Sequence, residues 1–257
     1  MDRTGSTLNG MHAEEHLARV ELAACYRVFA LLGWTELIYN HITLRLPDSV
    51  TGGAKQFLIN PFGLHYSEVS ASNLVKIDLQ GRVLDNSPHP VNPAGFTVHA
   101  ALHDGLPDAH CVMHTHTTAG MAVACLQGGL QQTNFYSAQL YGMVAYHDFE
   151  GITVHSDEAP RLLASIGDRP TVILRNHGLL AWGQTLAQTF ARLWTLNRAC
   201  EIQLATLAMG PAIPISDAVA RKCNHDSLQF HPNHGAGKDV LDALVRQVDR
   251  IDTSYRQ

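Results

Sequence analysis

Cys111–Val112–Met113–His114–Thr115–His116–Thr117–Thr118 begins as a short apolar run and ends in two histidines separated by one residue. In a β-strand, residues i and i+2 point to the same face, so this pattern predicts that His114 and His116 present their imidazoles side by side. Two imidazoles alone hold a divalent ion weakly. A third candidate follows another apolar run, where Thr171–Leu174 leads into Arg175–Asn176–His177–Gly178. Three neutral imidazoles that leave one coordination position open make a catalytic rather than a structural zinc-type site. A chain with 16 histidines in 257 residues also carries His-X-His pairs that are only surface or core histidines, so the metal reading requires a fold that joins these two segments.

Composition bounds the rest. Hydrophobic residues make up 46% and charged residues 16%, a globular balance that suits one fairly large domain with a sizeable core. A formal charge of -5 gives no electrostatic reason to expect a nucleic-acid partner. No window approaches a membrane-spanning apolar run, and Met1–Gly10 lacks the basic and apolar regions of a signal peptide, so a cytoplasmic location without membrane contact is expected. Five cysteines without a CxxC suggest neither a disulfide framework nor a thiolate zinc site.

Around the two histidine segments, strands and helices interleave. His12–Leu32 carries an amphipathic stripe (Leu17, Val20, Ala24, Val28, Leu31) that stops at Gly33. Ile42–Leu46 and Phe57–Ile59 read as paired strands, and Leu74–Leu79 with Arg82–Leu84 as a hairpin about Gln80–Gly81. Asn92 is expected to cap a helix that Pro93 opens and that runs to about His103. It places Phe96, His99, Ala100 and His103 on one face, with both histidines in packing roles. Thr118–Leu126 is helix-like with small residues, Met143–Tyr146 a short strand, and Asp157 the cap of a helix through Ile166. Thr171–Leu174 and Leu179–Trp182 bracket a hairpin with His177 near its tip. Thr185-x-x-Gln188 is a capping box before a helix to Met209, with a buried stripe from Leu186 to Leu204. Asp239–Ile251 holds one more stripe in Leu241, Leu244, Val248 and Ile251. The expected organisation is a flexible tail over 1–14, an α/β domain over 15–210 and an extension with a short helix over 211–257.

Several of these segments resemble the class II aldolase/adducin family. They are Gly33–Trp34 with Leu37–Ile38–Tyr39–Asn40–His41–Ile42–Thr43, Pro61–Phe62–Gly63–Leu64 with Tyr66–Ser67–Glu68–Val69, and Asn92–x–Ala94–Gly95–Phe96 with His99. Val144–Ala145–Tyr146–His147–Asp148, Leu174–Arg175–Asn176–His177–Gly178–Leu179 and Ala199–Cys200–Glu201–Ile202–Gln203 extend the resemblance over roughly residues 15 to 210, nearest the adducin-type branch. The resemblance implies a three-layer α/β/α fold on a mixed, mostly antiparallel sheet, assembled as a homotetramer. It also puts the metal ligands on His114, His116 and His177, substrate contacts at Asn40 and Gly63, and a tyrosine proton donor at Tyr136. It places Gly95 where the sugar-phosphate aldolases of the family carry a glutamate base, Pro93 and Ala94 at their phosphate-binding serines, and Phe62 at a phosphate-loop threonine.

Glycine has no proton to move, and without the phosphate donors a sugar phosphate is a poor substrate. The expected function is therefore a metal-dependent lyase of decarboxylase or aldolase type. Zn, or else Mn or Fe, would be held by the three histidines, a small oxygenated carboxylic or carbonyl compound would be the substrate, and Tyr136 or His147 would return a proton. His147 reads equally as a packing residue. The alternative is a non-catalytic adducin-like scaffold with actin or cytoskeletal partners. Iron-dependent oxygen chemistry is a third reading, although three histidines differ from the usual facial triad.

Overall fold

The computed structural model describes residues 7–8, 10–152 and 156–257. Of the expected tail, residues 1–6 and 9 lie outside the described residues. β1 (Thr7–Leu8) pairs antiparallel with β2 (Met11–His12), and α1 (Ala13–Leu32) starts directly after it, capped by the His12 side chain and closed by Gly33 at φ 73°.

The main sheet is built from β3 (His41–Arg45), β4 (Gln56–Ile59), β5 (Val75–Asp78), β6 (Cys111–Thr115), β7 (Val144–His147), β8 (Thr171–Leu174) and β9 (Gly178–Gly183), with α2 (Asp48–Thr51) in the β3–β4 connection. Its spatial order is β5-β4-β3-β6-β9-β8-β7, antiparallel throughout except for the parallel pair β7–β8. The β6 segment therefore occupies the middle of the sheet, hydrogen-bonded to β3 on one side and β9 on the other.

Period-two alternation separates two packing faces. Cys111 and Met113 of β6, Ile42 and Leu44 of β3, and Leu179 and Ala181 of β9 join one core with α1, α4 (Thr118–Ala124), α7 (Leu186–Leu207) and α9 (Lys238–Ile251). Val112, Leu180, Val172 and Leu174 face a second core with α3 (Pro93–Gly105) and α6 (Ala159–Ile166). The result is a three-layer α/β/α arrangement on a mixed sheet. α5 (Phe135–Gln139) and α8 (Asp217–His225) pack on each other beyond the first helical layer.

Local chemistry departs from expectation at several ends. Asn92 makes no side-chain cap bond, and α3 opens on Pro93 with only the backbone bond from Phe96 N–H to the Asn92 carbonyl. Asp157 is not a cap: Ser156–Glu158 winds as a 3-10 turn and Glu158 takes the cap position of α6. The Thr185 hydroxyl does accept from Gln188 N–H at 3.1 Å, but the Gln188 side chain reaches back to Gln184 N–H, one residue before a reciprocal box. Leu17, Leu31, Leu204 and Ile251 are exposed, because the buried arc of each helix is set by its neighbours. α1 turns Leu22, Tyr26 and Phe29 inward to meet Trp34, Tyr66 and Phe190.

Candidate metal centre

The site is assembled from strand ends. His114 lies near the end of the fully buried β6, on the face shared with Val112, and His116 follows where the strand runs out into the cap of α4. His177 belongs to the β8–β9 turn, where Asn176 takes a left-handed φ of 57° and His177 N–H bonds the Leu174 carbonyl. The antiparallel register sets His114 opposite Leu180 and Thr115 opposite Leu179, which carries the turn over the end of β6. One ligand nitrogen from each of His114, His116 and His177 lies within 4.8 Å of the others.

Close approach of β9 depends on Gly178. A Cβ there would stand 2.5 Å from the Thr115 carbonyl oxygen and 3.0 Å from the His116 ring. Any side chain would force the turn away from the two other histidines, so the glycine after His177 is a requirement of the cluster.

Hydrogen bonds orient the rings. His114 Nδ1–H donates to the Leu179 carbonyl at 2.9 Å, which leaves the Nε2 lone pair facing His116 Nε2 at 2.7 Å. A backbone carbonyl that fixes the tautomer in this way is the usual support of a metal-binding imidazole. The Asn40 carboxamide is buried and engaged at both ends: its Oδ1 accepts His116 N–H at 3.0 Å and its Nδ2 donates to the Trp34 carbonyl at 2.9 Å. Burial, followed by mutual repulsion among the imidazoles, pushes His114 well below the ordinary histidine range and His177 down to about 4, and burial lowers His116 as well. Each shift favours the neutral ring, and the three ligand nitrogens lie within 4.8 Å of one another. That donor set fits a divalent ion of the zinc, manganese or iron type.

The three histidines sit in the wall of a cavity of about 570 Å³. Phe62, Ala94, Val98, Met121 and Leu174 supply much of its lining, with Phe149 and Ile152 exposed beside them. Among the described residues no lysine or arginine lines it.

The remaining sequence candidates are more dispersed. Gly63 adopts φ 101° next to Phe62 but does not itself line the cavity. Tyr136 lies on α5, edge-on to Trp194 with ring centroids 5.5 Å apart, outside the lining of this chain's cavity. His147 is buried, with Nε2 3.2 Å from Glu158 Oε1 and Nδ1 3.0 Å from Ser165 Oγ. It lines a small crevice that shares Phe149, Leu174 and His177 with the main cavity.

Sequence reasoning passed over one residue as a site candidate. His41 lines the cavity from β3, paired across the sheet with His114 at a ring-centroid distance of 5.3 Å. The signals for it were its place inside the Leu37–Thr43 segment that carries the family resemblance and its position opposite the apolar face of a strand, with Thr43 two residues on. The histidines of α3 complete a buried network with it: Thr43 Oγ1 lies 2.7 Å from both His99 Nδ1 and His103 Nε2, and His103 Nδ1–H donates to the Ala109 carbonyl.

Comparison with known proteins agrees with this architecture. Residues 20–204 match the family described as the class II aldolase and adducin N-terminal domain. The chain is 45% identical to alpha-adducin of Rattus norvegicus over 264 aligned positions, covering 97% of this chain but only 35% of the adducin. The crystal structure of an aldolase II superfamily protein from Pseudomonas syringae superposes with a TM-score of 0.89 at 38% identity, over 98% of this chain and 100% of that one. An L-fuculose 1-phosphate aldolase from Glaciozyma antarctica PI12 superposes with a TM-score of 0.83 at 28% identity, over 100% and 97% of the two chains. With one family match over most of its length and the same fold in these relatives, this chain belongs to the class II aldolase and adducin family.

Proposed function

We propose that this protein is a divalent-metal-dependent carbon–carbon lyase, of decarboxylase or aldolase type. Its substrate is a small oxygenated carboxylic or carbonyl compound that carries no phosphate. The observation that carries this reading is the convergence of His114, His116 and His177 on the wall of a largely apolar cavity. Zinc is the preferred ion, with manganese or iron suited to the same donors. When bound, such an ion supplies Lewis acidity toward a carbonyl or carboxylate oxygen. The Leu179 carbonyl and Asn40 keep the ligands in place, the former by accepting from His114 Nδ1–H and the latter through the His116 backbone. The absence of lysine and arginine from the described lining disfavours a phosphate group. His147, held by Glu158, is one proton donor in this reading, and Tyr136 is the other if a neighbouring subunit of a cytoplasmic homotetramer brings it to the cavity.

A second reading is favoured by Gly95, which offers no proton acceptor, and by the close likeness to an adducin: a non-catalytic scaffold with cytoskeletal partners. Metal analysis of the purified protein beside His114→Ala and His177→Ala separates the two. Stoichiometric metal in the native chain, lost in both variants, supports the lyase and is followed by screening keto and hydroxy acids for carbon dioxide release. A native chain that takes up no zinc, manganese or iron sinks the lyase and leaves the scaffold.

A further inference from the structure

Among the described residues, His41 is the one imidazole in the cavity wall without a role in the cluster of three. Its Nδ1–H donates to the Tyr39 carbonyl at 3.3 Å, so in the neutral ring Nε2 carries the lone pair. Nε2 is buried and has no hydrogen-bond partner among the described residues. A desolvated acceptor left unmet is costly, so the source of its donor has to be found.

The neighbouring rings cannot supply one. The Ala109 carbonyl holds His103 in its Nδ1–H form, so His103 Nε2 must accept the hydroxyl proton of Thr43. Thr43 Oγ1 then accepts from His99 Nδ1–H, which leaves His99 Nε2 as another acceptor, buried and unmet. The His99 ring packs 4.3 Å from His41, centroid to centroid, with no proton to offer. On the other side His114 is held as the Nδ1–H form by Leu179, so its Nε2 is an acceptor as well. Both flanks of His41 thus present lone pairs, the Gly95 backbone beside it accepts from the ring and cannot donate, and the side left to provide a donor is the cavity.

Gly95 makes the room. A Cβ at position 95 would lie 2.9 Å from both Cε1 and Nδ1 of the His41 ring, closer than packed atoms approach. The ring occupies the space that a side chain at 95 would need, so His41 can hold this place in the wall only beside a glycine.

We propose that His41 is a substrate-contacting residue whose Nε2 accepts a hydrogen bond from a hydroxyl beside the metal-bound group, so that the cavity selects 2-hydroxy acids or hydroxy-carbonyl compounds over analogues lacking the hydroxyl. This rests on the metal-dependent reading above. The test uses zinc-loaded full-length protein and two hydroxamates, which chelate zinc alike and differ by one hydroxyl: glycolohydroxamate and acetohydroxamate. Affinities are measured by calorimetry and zinc content by elemental analysis. The native protein is expected to bind glycolohydroxamate about tenfold more tightly. The preference should fall to about one in His41→Phe and in Gly95→Ala, which displaces the ring, and should return in part in His41→Gln, whose amide oxygen accepts, with zinc content unchanged in all. A zinc-loaded native protein without the preference, or variants that keep it, overturns the role of His41 alone. A native protein that takes up no zinc overturns the metal reading, and the His41 proposal with it.

Discussion

His114 donates its Nδ1–H to the Leu179 carbonyl at 2.9 Å across the β6–β9 pair, and this single bond decides which nitrogen of the ring faces His116 and His177. A neutral imidazole carries one N–H, so the carbonyl fixes the tautomer before any ion arrives. Long-range proton–nitrogen spectra of metal-free protein at pH 7 should show His114 as the Nδ1–H form with a slowly exchanging proton. Zinc addition should move its Nε2 resonance and leave Nδ1 protonated. An Nε2–H form in metal-free protein would falsify the assignment.

Asn40 gives a second, separable prediction. With both ends of its carboxamide engaged, to His116 N–H and the Trp34 carbonyl, Asn40→Ala strands one buried and one part-buried backbone group. The expected cost is roughly 1–3 kcal/mol in urea unfolding. Because His116 loses its anchor, zinc affinity in a competition assay with a chelator should fall about 10–100-fold, the usual effect of losing such a support. A variant that unfolds earlier but holds zinc as tightly as native would show that Asn40 serves the fold and not the cluster.

Much of this was legible in the sequence, and what was not shares a physical cause. His114 and His116 were readable because a period of two needs only a strand, and His177 because a turn between two apolar runs announces a hairpin tip. His41 was not, since its relation to His114 is a cross-strand register, which depends on how β3 slides against β6 and not on either strand's own pattern. The buried bonds of Asn40 were hidden for the same reason: its acceptor lies six residues away, but its donor comes from His116, 76 residues on. Helix existence followed from spacing, whereas exposed Leu17 and Ile251 show that the buried arc is chosen by tertiary partners.

Gly178→Ala tests the close approach of the turn. The added methyl would meet the Thr115 carbonyl oxygen at 2.5 Å, and backbone cannot rotate aside as a side chain can. Overpacking of this kind costs about 1–3 kcal/mol, and the β8–β9 turn should relieve it by carrying His177 away from His114 and His116. Zinc content is expected to drop far more than thermal stability, and His177 should become open to acylation by diethyl pyrocarbonate. Retention of full zinc content would show that the turn can absorb the methyl without moving the ligand.

Acid should destabilise the protein through its buried histidines, and His103 allows the sign to be worked out. Burial pushes it from the ordinary 6.5 down to about 3. Between those values the unfolded chain binds a proton at this position that the folded chain refuses, so the unfolded state gains as pH falls. Stability contributed at neutral pH is therefore lost progressively from about pH 6.5 and is gone by about pH 3, at a slope of about 1.4 kcal/mol per pH unit for this one site. His103→Gln keeps a donor for the Ala109 carbonyl and an acceptor for Thr43 but has no proton to gain. Urea unfolding of chelator-treated protein at several pH values between 4 and 7 should show the variant with a pH slope shallower than native by about that amount, even if it starts lower at pH 7. His99 and His114, also driven down by burial, should leave a residual slope of the same sign. Equal slopes in native and variant protein would mean that His103 reaches solvent and titrates in the folded state, and that the chain of tautomers running from Ala109 through Thr43 to His99 is not held closed.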